Sequence, residues 1–125
     1  MKSRKRLGIW MDNAHAHLKE YHREVVEIAN VDSDEIEKPA KSHLVKGESS
    51  LQNMEQPLQT EFYKSIAREI LEFNDVLLFG PAEAKTELFN LLKDDQLYAN
   101  IKFNIQNSGP LSDKQERAVI KTYFK

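Results

Sequence analysis

The sequence predicts an α/β domain built on a five-stranded mixed sheet. Its elements run β-β-β-α-β-α-β-α and its strands stand in the spatial order 3-2-1-4-5. Three observations predict this. Three strand-like segments joined by short links occupy residues 7–31. A fully apolar run, Val76-Leu-Leu-Phe79, follows a helix-period segment and closes on Gly80-Pro81. A second helix pattern, a strictly alternating segment at 101–105 and a third helix pattern complete the chain.

The first segment, Leu7-Gly-Ile-Trp-Met-Asp12, is short and apolar and ends on an Asp12-Asn13 turn, which marks a strand. Residues 15–21 alternate: Ala16 and Leu18 fall on one face, and His15, His17, Lys19 and Tyr21 on the other. Residues 24–31 are rich in Val and Ile. Consecutive strands with such short links form an antiparallel meander. Residues 32–58 then turn polar, with Pro39, Gly47 and Pro57 and a Ser-rich centre. That length exceeds the roughly 12–15 residues of an ordinary loop. The segment reads as a long mobile insertion with a short helix near its end.

Residues 60–73 repeat at helical spacing, with Phe62, Tyr63, Ile66, Ala67, Ile70 and Leu71 on one broad face. The run 76–79 is the pattern of a strand buried on both faces, typically a central parallel one. Pro81 suits the start of a helix, where a missing N–H is tolerated. That helix extends to about Lys93, with Ala84, Leu88, Leu91 and Leu92 inward. The alternation at 101–105 marks a half-exposed edge strand. Ser112 and Gln115 have capping-box spacing and open a last helix, which Ala118, Val119, Tyr123 and Phe124 pack down. Trp10 is expected in or beside the core. Right-handed crossovers place the last two strands parallel to the first. The result is the ribonuclease-H-like arrangement, which the fold of translational machinery components shares.

A chain of 125 residues is close to the common size of one domain, so residues 1–125 are read as one unit carrying the 32–58 insertion. Such a domain buries about two-thirds of its unfolded surface and needs no disulfide or structural metal. Absence of cysteine removes disulfides, zinc ribbons, iron–sulfur clusters and thiol nucleophiles. It also suits a reducing compartment. No apolar run approaches the roughly 20 residues that span a bilayer. Residues 7–11 are too short to be a signal core behind the basic N-terminus. Cytoplasm is the expected location.

Formal net charge is −2, but it is unevenly placed. Lys2, Arg4, Lys5 and Arg6 form a basic arm, and Asp32, Asp34, Glu35 and Glu37 an acidic patch. A basic arm seeks phosphate or is a solvated terminus. Asp12, at a strand end, is where ribonuclease-H-like nucleases hold a divalent metal. Phosphate cleavage of that kind needs several oxygen ligands. The fourth strand ends in Phe79-Gly80 without an acid, and Glu83 and Asp113 are the only further candidates. Asp12 is otherwise a turn former, bonding nearby N–H groups. His15 and His17 share a strand face, and imidazoles at i, i+2 are able to hold a metal. Solvent-facing sheet histidines are the alternative, with only His22 and His43 as further imidazoles. Gly80-Pro-Ala-Glu-Ala-Lys85 joins a strand end to a helix N-terminus. Free N–H groups there attract anions, with Lys85 to assist. A P-loop needs a second Gly and a Lys-Ser/Thr pair, which are missing. No Gly-x-Ser-x-Gly elbow occurs.

Three stretches together resemble the middle domain of archaeo-eukaryotic peptide-chain release factors and their ribosome-rescue relatives. Leu7-Gly-Ile-Trp-Met-Asp12, with Ala16 and Leu18, looks like that domain's opening hairpin. Glu61-Phe-Tyr-Lys-Ser-Ile-Ala-Arg-Glu69 is similar to its long helix. Val76-Leu-Leu-Phe-Gly-Pro-Ala-Glu-Ala-Lys-Thr-Glu-Leu88 resembles its apolar strand, Gly-Ser/Pro turn, Lys and acidic-apolar continuation. The ordered resemblance spans about residues 7–106. Release factors carry Gly-Gly-Gln between the third strand and the long helix, where it promotes peptidyl-tRNA hydrolysis. Here that loop is Lys41-Ser-His-Leu-Val-Lys-Gly-Glu-Ser-Ser-Leu-Gln-Asn53, with Gly47 alone and Gln52 apart from it.

The resemblance implies a non-hydrolytic protein of the translation machinery that binds ribosome or RNA without a cofactor. Its expected contacts are Arg4, Lys5 and Arg6, the loop residues Lys41, His43 and Lys46, and Gly80 with Lys85. One alternative is a metal-dependent nuclease or phosphatase using Asp12. The other is a protein-interaction module or homo-oligomer using the edge strand at 101–105 or the His15/His17 face.

Overall fold

The computed structural model describes residues 5–33, 55–81 and 83–125. β1 (Arg6–Met11), β2 (His15–His22) and β3 (Glu24–Asp32) form the antiparallel meander. α1 (Glu55–Ile70), β4 (Asp75–Gly80), α2 (Ala84–Leu92), a 3₁₀ turn (Gln96–Tyr98), β5 (Lys102–Asn107) and α3 (Asp113–Phe124) follow. The sheet order is β3-β2-β1-β4-β5, with β4 parallel to β1 and β5 parallel to β4. This is the predicted fold. Among the described residues no helix is long and apolar enough to cross a membrane.

β4 explains the layering. Val76, Leu77, Leu78 and Phe79 are each at most 1% exposed. Strand alternation sends Val76 and Leu78 to one face, where Phe62, Ile66 and Ile70 of α1 and Leu88 of α2 cover them. Leu77 and Phe79 go to the opposite face, to Trp10 and to Ile120 of α3. Each such side chain contributes roughly 1.5–3 kcal/mol when fully buried. Among the described residues, one face of the sheet therefore carries two helices and the other carries one.

Helix boundaries and faces depart from the sequence pattern in three places. α1 begins at Glu55, five residues before the expected start at residue 60, with Pro57 in its first turn. The first-turn N–H groups lack intrahelical partners anyway, so proline is tolerated there. α1 also stops at Ile70, closed by the Phe73 N–H donating to Ile70 O at 2.9 Å, which leaves Leu71 42% exposed. In α2 the inward stripe is Ala84, Leu88 and Leu92 with Lys85, while Leu91 is 49% exposed. In α3 Val119, Tyr123 and Phe124 pack partly buried as expected, but the fully buried residues are Glu116 and Ile120, and Ala118 faces solvent. Ala118 stands two positions from either, about 200° around the helix. The Ser112–Gln115 capping box is present in both directions, at 3.1 and 2.9 Å.

Two glycines set close approaches. A Cβ on Gly8 would meet Ile120 Cγ1 at 2.4 Å, so Gly8 lets α3 lie directly on β1. Gly80 has φ +140°, and a Cβ there would meet Met11 O at 2.1 Å. The expected tight Gly80 turn is thus a backbone-to-backbone contact between the ends of β4 and β1.

Candidate nucleic-acid interface

Arg4, Lys41, His43 and Lys46 lie outside the described residues, as does most of the 32–58 insertion. Asp32 belongs to β3, and the far end of that stretch belongs to α1. Lys5 and Arg6 are joined to the sheet. The Lys5 N–H donates to Asn74 Oδ1 at 2.8 Å, and its Nζ sits 5.2 Å from the Phe73 ring centroid. Arg6 is the first residue of β1, half-buried, with its guanidinium 5.7 Å over Tyr21.

The Gly80 turn leads into α2, whose N-cap Glu83 makes no side-chain cap bond. Lys85 is only 3% exposed. Its side chain is part of the packed helix face, so it does not offer a solvent phosphate the contact expected of it. The helical spacing of Lys85 next to Ala84 and four residues before Phe89 carried the signal for this.

Asp12 is committed to its own turn. Its Oδ1 accepts N–H groups from Ala14 at 2.9 Å and His15 at 2.7 Å, and stands 3.2 Å from His15 Nδ1. Burial alone raises its pKa. The Ala14 and His15 N–H groups and the His15 imidazole outweigh that and hold it below the ordinary 3.8. The turn-former reading of Asp12 is the one the geometry bears out. Among the described residues, no three His, Cys, Asp or Glu side chains are grouped to hold a metal ion. Glu83 is exposed at the start of α2, and Asp113 stands on α3 beside Arg117.

His15 and His17 share a strand face but have different surroundings. His15 is half exposed, between Asp12 and Asp32. His17 is stacked on Trp10, with ring centroids 5.2 Å apart, and its Nδ1 lies 2.9 Å from Glu116 Oε2. Glu116 is 1% exposed, and its other oxygen accepts from Lys19 Nζ at 2.6 Å. Lys19, also 1% exposed, reaches Asp113 Oδ1 at 3.2 Å as well. Arg117 donates to Asp113 Oδ2 at 2.7 Å and to Val25 O at 2.8 Å. The Arg117 bond outweighs the rest in holding Asp113 below its ordinary 3.8. At His17 and Lys19 the polar side of β2 is therefore not a solvent face. A charged network beneath α3 covers it, and this is what strand alternation alone missed. The one sequence signal was the spacing of Asp113, Glu116 and Arg117 along one side of the last helix.

No protein-family model matches the chain, and no curated protein matches it. Solved structures similar in fold include two of archaeal Pelota. Pelota of Archaeoglobus fulgidus aligns over 97% of this chain and 32% of its own length, with a TM-score of 0.63 at 13% identity. Pelota of Thermoplasma acidophilum aligns over 98% of this chain and 32% of its own, with a TM-score of 0.56 at 14% identity. The chain thus has the fold of a segment found in archaeal Pelota, and it spans about a third of the length of those proteins.

Proposed function

We propose that this chain is a non-hydrolytic domain of the release-factor middle-domain type, acting in the cytoplasm by associating with the ribosome or its RNA. One observation carries the reading. The fold similar to Pelota, a release-factor-like protein, extends over 97% of the chain. The three release-factor-like stretches fall on successive elements of that fold: β1–β2, α1 and β4–α2. The loop sequence without Gly-Gly-Gln supports a binding role over peptidyl-tRNA hydrolysis. Contacts are assigned to Arg4, Lys5 and Arg6, and to Lys41, His43 and Lys46. The Gly80 turn serves as scaffold.

Sedimentation through a sucrose gradient with ribosomes tests this. Association at low salt that weakens as salt rises is expected of phosphate contacts. A protein that stays at the top of the gradient at both salts refutes it. A second reading, self-association, is favoured by β5 standing at the sheet edge with Lys102, Asn104 and Gln106 exposed. Light scattering that gives a concentration-independent monomer mass removes that reading.

A further inference from the structure

Among the described residues, only α3 covers the Trp10 face of the sheet, and it lies over β1, β2 and β3. A groove remains between α3 and β5. Two shallow depressions of about 420 and 560 Å³ adjoin there, and Tyr123 lines both. Arg6, Lys102 and Phe124 line the first, with Asp75; Gln106, Ala118 and Thr122 line the second.

The charge of this groove follows from how α3 uses its residues. Its acids Asp113 and Glu116 are engaged on the β2 side by Lys19, His17 and Arg117. Its lysines are left outside. Lys114, Ala118, Thr122 and Lys125 stand at i, i+4, i+8 and i+11, which is one stripe of the helix. Ala118 and Thr122 of that stripe line the groove, and Lys114 and Lys125 stand on the same stripe about 16 Å apart along the helix axis. Across the groove, register puts Lys102 beside Asp75 and Asp75 beside Arg6 on the same face. Arg6 and Lys102 therefore line the groove against one half-buried acid, with Lys114 and Lys125 on the adjoining helix stripe, on a chain of net charge −2. The Tyr123 and Phe124 rings, in edge contact at 4.9 Å, stand at the end where Arg6 and Lys102 lie.

We propose that this groove binds single-stranded RNA. Arg6, Lys102, Lys114 and Lys125 take the phosphates, Tyr123 stacks a base, and the Asn104 and Gln106 amides meet base edges. Alternating cations with an aromatic platform and amide groups suits a splayed single strand, whereas a rigid duplex cannot bring a base onto Tyr123. The proposal deepens the RNA-binding reading and rests on it, and of the contacts assigned above it uses Arg6.

Fluorescence anisotropy of the full chain with a fluorescein-labelled U12 RNA tests it. With four phosphates engaged, affinity should fall about fiftyfold between 50 and 200 mM salt. Lys102→Glu with Lys125→Glu should weaken binding at least tenfold, and Tyr123→Leu, which keeps an apolar side chain under α3, at least fivefold. Lys64→Glu, exposed on the opposite helix layer, should change nothing. Circular dichroism of each variant verifies folding. Wild-type binding that the groove variants leave intact overturns the groove while the RNA-binding reading stands. Ribosome sedimentation without U12 binding does the same. A duplex of equal length bound as tightly as U12 overturns the stacking role. Failure of both U12 binding and ribosome association overturns the groove and the RNA-binding reading together.

Discussion

Replacing Lys19 by Met removes the ammonium held between Glu116 and Asp113 and leaves the volume of the side chain nearly unchanged. Both Lys19 and Glu116 are 1% exposed, so the Glu116 carboxylate would stay in a dry site with only His17 facing it. Breaking one side of a buried pair costs about 3–5 kcal/mol, and the surviving His17 contact places this case at the low end, about 3 kcal/mol. Unfolding entropy near 2.1 cal/mol/K per residue amounts to about 0.26 kcal/mol/K for a chain of this length. The midpoint of thermal unfolding should then fall by about 11 °C. Circular dichroism measures the global transition. Fluorescence of Trp10, the only tryptophan, reports on the His17 stack beside the network. The double variant Lys19→Met with Glu116→Leu removes both charges and should recover most of the loss. A fall of less than about 3 °C for Lys19→Met would put the pair in the range of a solvated surface contact and refute the reasoning.

Gly80→Ala combines a strained φ with a clash on Met11 O and should cost about 3–5 kcal/mol, seen as a lower urea midpoint at unchanged slope. Ser112→Ala removes the α3 capping box and should cost about 1 kcal/mol, or roughly 4 °C in the thermal midpoint. Acid sensitivity follows from Asp12 and Asp113, whose folded-state pKa values lie below the ordinary 3.8. Their contribution is fully present above the unfolded value and is lost as pH falls through the lower folded values. Urea midpoints measured from pH 6 down to pH 2 should therefore fall less steeply below pH 4 for Asp12→Asn than for the wild type. Parallel curves would remove Asp12 from the account.

Most of the fold was legible in the sequence because it rests on local rules. Two-residue alternation, an apolar run too continuous for a half-exposed strand, and the Ser112–Gln115 spacing each require a particular element whatever surrounds it. Connection rules then left one economical strand order. Gly80 was readable for the same reason: glycine between a buried strand and a helix marks a close approach, although only the structure identifies Met11 O as the partner. Asp12 likewise read correctly as one of two options, and its own turn decided between them.

What tertiary structure alone decided is which polar residues are inside. Lys19 lies on the polar side of an alternating strand, and nothing within β2 shows that a helix 94 residues later, at Asp113, will cover it. Lys85 reads as an anion ligand until its helix rotates it into the core. Conversely, Lys102 looks like an ordinary solvent-facing lysine until sheet register places it with Arg6 and Tyr123 in one groove. Burial and charge complementarity depend on contacts between residues distant in the chain. Periodicity specifies the face of an element but not its neighbour, and for this protein the neighbour of α3 separates a buried ion network from an open groove lined by Arg6 and Lys102.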